Sequence, residues 1–132
     1  MILVDTSVWI SFFSRQPGPR AARLRDRIER GVVVCTAPPI LQEVLQGTTS
    51  EEHFEAMRRR LRAIHVLHPR NEDETFVAAA RIYAQCRWKG ITPRSATDCL
   101  IAQIAIEHDV SLYCDDEDFR RIAQVVPALS LL

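Results

Sequence analysis

Along the chain, short apolar runs alternate with longer stretches in which apolar residues recur every three or four positions. The first run, Ile2 to Val4, stops at Asp5, meets the hydroxyls of Thr6 and Ser7, and turns apolar again, predicting a buried strand with a carboxylate at its carboxyl end. A short helix is expected over Val8 to Ser14, then a Pro17-Gly18-Pro19 turn and a second helix ending near Gly31. Val32, Val33 and Val34 predict a second strand. Pro38 and Pro39 open a helix with Leu41, Val44 and Leu45 on one side, Glu43 off the centre of that stripe and Gly47 at its close. Ser50 is placed to cap the next helix, where Phe54, Met57 and Leu61 recur. Ile64 to Leu67 predict a third strand. Asn71 with Glu74 resembles a capping box ahead of a helix with the stripe Phe76, Ala79, Ala80 and Tyr83, ending before Gly90. Ile91 to Ala96 reads as a loop, and Thr97 to His108, apolar on nearly every side, as a buried helix. Ser111 to Cys114 predict a fourth strand and Ala128 to Leu131 a fifth.

Strands alternating with helices imply an α/β fold whose parallel sheet, of about five strands, carries helices on both faces. Right-handed crossovers bring every strand's carboxyl end to one edge, where ligands gather in doubly wound sheets. The 132 residues, 47% of them hydrophobic, fit a single domain over 1–132 with a substantial core. No stretch is long and apolar enough to span a bilayer, and Asp5 interrupts the first apolar run in a way a signal peptide does not, so a cytoplasmic location is expected.

Acids collect on the predicted edge: Asp5 after strand one, Glu43 in the helix after strand two, Asp98 at the start of the buried helix and Asp116 after strand four. Asp98 shares a face with Ile101, Ala102 and Ala105, where burial is costly without a partner. Converging carboxylates repel unless a cation neutralises them, and an oxygen-only set favours a hard ion, Mg²⁺ or Mn²⁺. Such an ion, or a pair, suits phosphoryl transfer by lowering the pKa of bound water and stabilising the departing oxygen. Each acid also has an ordinary structural reading. Asp5, Thr6 or Ser7 suits a helix cap, Asp98 a first-turn acid facing the helix dipole, Glu43 a solvated face, and Asp115 to Asp118 a turn and cap. Their joint placement on one edge is what speaks for a site.

Composition changes this picture little. Seventeen basic and seventeen acidic residues cancel, although Arg15, Arg20, Arg23, Arg25, Arg27 and Arg30 cluster, as do Arg58, Arg59, Arg60 and Arg62. Both clusters read first as solvated helix faces and second as a grip on a phosphate backbone. Trp9, Phe12 and Phe13 read as packing before base stacking. Cys35, Cys86, Cys99 and Cys114 form no CxxC pair and read as small buried hydrophobes, and the four histidines share no ligand spacing.

The segments MILVDTSVWI, PPILQEVLQG and ATDCLIAQIAIEHDVSLYCDDEDFRRIA resemble the PIN-domain ribonucleases, and most closely the VapC-type toxins of toxin-antitoxin pairs, over essentially the full chain. The resemblance implies a three-layer α/β/α fold, binding of Mg²⁺ or Mn²⁺, and RNA cleavage as a toxin. Carried over, it implies that Asp5, Glu43, Asp98 and Asp116 form the catalytic site, with the metal on Asp5, Asp98 and Asp116. Ser7 or Thr6 then orients a carboxylate or water, and Asp118 is an accessory acid beside Phe119. Asp115 competes with Asp116 for the fourth position. A cognate antitoxin and a homodimer are also implied.

Two other classes compete with this one. A catalytically silent module docking a basic partner would use the same carboxylates. A receiver-like phosphoacceptor domain fits poorly, because Asp5 stands alone, no aspartate closely follows strand three, and Lys89 lies in the wrong segment.

Overall fold

The computed structural model describes residues 1–132. Its elements follow in the order β1 (Ile2–Val4), α1 (Thr6–Phe12), α2 (Pro19–Glu29), β2 (Val34–Thr36), α3 (Pro38–Gln46), α4 (Glu51–Leu61), β3 (His65–Val66), α5 (Glu72–Trp88), α6 (Ala96–Glu107), β4 (Ser111–Tyr113) and α7 (Glu117–Val125). The four strands are all parallel, in the order β3-β2-β1-β4. β1 therefore has β2 on one side and β4 on the other, and the strand order reverses beside it. That reversal opens a crevice at the carboxyl ends, where Asp5 leaves β1 and Asp116 follows β4.

Local chemistry accounts for most boundaries. Gly31, at φ +86°, ends α2, and the Val32 N–H closes on the Arg27 carbonyl at 3.0 Å. That closure holds Val32 to the helix end, so β2 starts at Val34 rather than Val32. Gly90, at φ +81°, ends α5 in the same manner, with the Ile91 N–H on the Cys86 carbonyl. Ser50, Asn71 and Ser95 cap α4, α5 and α6 by accepting the N–H three residues on.

The expected fifth strand is reduced to one bridge. A turn at Pro127 and Ala128, closed by the Leu129 N–H on the Val126 carbonyl, takes up the start of that segment, and only Leu131 pairs in parallel with Leu112. Between β4 and this bridge lies α7, a helix absent from the sequence reading, which buries Phe119 and Ile122.

One apolar cluster of 27 residues forms the core. α6 is buried almost all round, through Cys99, Ile101, Ala102, Ile104 and Ala105, as its composition predicts. Trp9 is buried, stacked on Phe13 and edge-on to Phe12, so packing is the role of these rings. The four cysteines are free and buried; burial pushes the Cys99 thiol up to about 12 and those of Cys35 and Cys114 to about 11. No helix is long and apolar enough to cross a membrane.

Candidate active site

Asp5 joins β1 to α1. Its N–H bonds the Tyr113 carbonyl of β4 and its carbonyl accepts from Trp9, which pins the backbone between sheet and helix. It occupies the capping position of α1, yet its side chain makes no capping hydrogen bond. The carboxylate, 5% exposed, instead accepts the Ser7 hydroxyl at 3.2 Å. Burial raises its pKa, against the Thr6 N–H and the Ser7 hydroxyl, and the charges of Glu43 and Asp116 push the same way as burial.

Asp98 stands in the first turn of α6, its N–H on the Ser95 hydroxyl at 3.2 Å. It is 5% exposed, and its Oδ2 is buried with no hydrogen-bond partner. Burial first, then the neighbouring charge of Asp5, lifts its carboxyl from 3.8 to about 6, with Arg94 opposing and Asp116 and Asp118 adding to the rise. On α3, Glu43 is half-buried rather than a solvated surface acid, and its Oε1 also lacks a partner. Burial and the charge of Asp98 raise its pKa, while the adjacent Thr6 hydroxyl and Arg94 lower it. Thr6 Oγ1 is itself buried without a hydrogen bond of proper geometry.

Asp116 caps α7, its Oδ1 accepting the Asp118 N–H at 2.9 Å. Its Oδ2 accepts Arg94 Nη2 at 3.1 Å, and Arg94 Nε lies 3.4 Å from Asp118 Oδ2. Asp115 turns elsewhere: it is exposed and lines a separate groove of about 150 Å³ with Ser7, Ser11 and Arg20. The fold thus brings Asp5, Glu43, Asp98, Asp116 and Asp118 within electrostatic reach of one another and leaves Asp115 at the side.

A model of the PIN domain family matches residues 2–125. The VapC ribonuclease Mb1587 of Mycobacterium bovis is 34% identical over 128 residues, covering 95% of this chain and 93% of its own length. Ribonuclease VapC11 of Mycobacterium tuberculosis matches to the same extent. The chain belongs to the PIN domain family, among the VapC ribonucleases. Its fold is also that of VapBC2 from Rickettsia felis, solved bound to a promoter DNA fragment, with a TM-score of 0.76 at 16% identity over 100% of this chain and 98% of that one. FitAcB from Neisseria gonorrhoeae gives a TM-score of 0.70 at 18% identity over 100% and 96%.

Against this PIN framework, the donor set fits a hard divalent cation. All the donors are oxygens, and the buried Asp98 Oδ2 and Glu43 Oε1 make no hydrogen bond of proper geometry. No three acid, histidine or cysteine side chains stand ready-made around one ion position. Arg94 engages Asp116 and Asp118. Arg94 is the residue that the sequence reading passed over. The signal for it was a lone cation in the loop four residues ahead of Asp98.

Proposed function

We propose that this chain is a divalent-metal-dependent endoribonuclease acting as the toxin of a toxin-antitoxin pair. The observation that carries the reading is the pair of partnerless buried oxygens, Asp98 Oδ2 and Glu43 Oε1, among five acids at the strand-order reversal of a PIN fold. Asp5, Asp98 and Asp116 would hold Mg²⁺ or Mn²⁺. When bound, the ion supplies charge stabilisation at the phosphate and acidifies water for attack.

The chain's own groups do the rest. Ser7 donates to Asp5 and fixes the carboxylate's orientation. Glu43, half-buried on α3 with Thr6 beside it, positions the attacking water. Asp118 completes the negative rim.

An antitoxin partner is supported by the likeness to VapBC2 and FitAcB. A homodimer is supported by an apolar groove of about 470 Å³ between α5 and α6, lined by Phe76, Ala79, Ala80, Tyr83 and Leu100 and flanked by exposed Val77. Sedimentation of the purified chain tests it: a monomer at micromolar concentration removes it.

Mapping of RNA 5′ ends after brief expression tests the central reading. New ends at defined positions are expected with the wild type and not with Asp98→Asn. Identical ends in both would overturn the site. Tight Mn²⁺ binding with no cleavage of any RNA would point to the silent module.

A further inference from the structure

Arg94 makes two of the three ion pairs in the chain. Its side chain is nevertheless 70% exposed, so much of its fork faces solvent. It directly precedes Ser95, the cap of α6, so its backbone is tied to the helix that carries Asp98. Asp116 Oδ1 is committed to the Asp118 N–H, which leaves Oδ2 as the oxygen free to take a cation, and Arg94 sits on that oxygen. A cation taking that oxygen would compete with Arg94 for it and weaken its hold at the rim.

What the loosened group would meet follows from charge. Five carboxylates carry more negative charge than one divalent ion cancels, so an incoming phosphodiester needs a further positive group. Of the arginines near this edge, Arg20 bonds the Cys114 and Leu132 carbonyls and lies over Tyr113, and Arg120 pairs with Glu117, whereas Arg94 alone is paired to the site's own acids. A guanidinium fork also matches phosphate oxygens two at a time.

Building on the ribonuclease reading, we infer that Arg94 is a substrate-binding residue that exchanges Asp116 for the RNA phosphate at the cleaved linkage. The test compares wild type, Arg94→Gln and Arg94→Lys on a short RNA containing a mapped cleavage site. Mn²⁺ affinity is measured separately by calorimetry without RNA. Arg94→Gln should raise KM at least tenfold with kcat within about threefold. The slope of log kcat/KM against log salt should fall by about 0.7, one single-strand phosphate. Mn²⁺ should bind this variant at least as tightly as the wild type, and Arg94→Lys should recover part of the KM.

An unchanged KM, a loss confined to kcat, or RNA and Mn²⁺ affinities falling by the same factor would overturn the inference, the last by making Arg94 a mere brace for the acids. A wild type that binds no Mn²⁺ and cleaves no RNA would overturn the ribonuclease reading and the inference with it. A competent wild type beside an Arg94→Gln variant of normal KM overturns the inference alone.

Discussion

Helix α6 carries an acid near each end, and the two are treated in opposite ways. Glu107, in the last turn, is satisfied by the protein: its Oε1 accepts the Arg70 N–H at 2.8 Å, and both oxygens accept the buried Thr75 hydroxyl at 2.9–3.0 Å. Asp98, in the first turn, is more deeply buried, faces other acids, and keeps Oδ2 without a partner. The end of a helix dipole that favours an anion thus holds the unsatisfied one, and the end that disfavours it holds the satisfied one. Glu107 ties the β3–α5 connection to α6 and belongs to the fold. Asp98, buried and unpartnered, costs the fold stability and belongs to the proposed site.

Exchanging these two acids' fates gives the largest effect. Asp98→Asn should lower RNA cleavage by about a thousandfold, equivalent to about 4 kcal/mol, and the metal-free protein should unfold at higher urea than the wild type. Glu107→Ala should do the reverse, costing about 1–2 kcal/mol in urea unfolding by stranding the buried Thr75 hydroxyl, while kcat at a permissive temperature is kept. A Glu107→Ala protein of wild-type stability would remove the contrast from one side.

Metal and pH sharpen the same comparison. Mn²⁺ at a hundred times its dissociation constant should stabilise the wild type and Glu107→Ala alike by about 2.7 kcal/mol and leave Asp98→Asn unmoved, as read by thermal shift. The last effect is that of pH on the metal-free chain. Asp98 is protonated in both states well below pH 3.8; between 3.8 and about 6 the unfolded chain has released the proton that the folded chain retains. Stability from this group therefore falls as pH rises through that window and levels off above it. The loss is on the order of 2 kcal/mol. Urea midpoints between pH 4 and 7 should show the decline in the wild type and a shallower one in Asp98→Asn.

Much of this site was legible in the residues. Apolar runs ending at Asp5 and before Asp115 marked β1 and β4, the strands that flank the crevice, and the all-round apolar character of α6 placed Asp98 in the interior. Glu43 was harder, because a glutamate beside an apolar stripe is ordinary surface until the fold covers it. Arg94 was not legible as a partner of Asp116 and Asp118, since the pairing joins residues 22 or more apart through a loop without periodicity. α7 was hidden by the acidic run that caps it, and the fifth strand was overstated because four apolar or small residues carry no sign of the turn at Pro127 and Ala128.

Calorimetric titration of Mn²⁺ into metal-free wild type, Asp98→Asn and Glu107→Ala tests most directly whether the unsatisfied acids await a cation. Saturable binding to the wild type and Glu107→Ala, and none to Asp98→Asn, is the predicted result. Equal binding to all three, or binding lost with Glu107 and kept without Asp98, would contradict it.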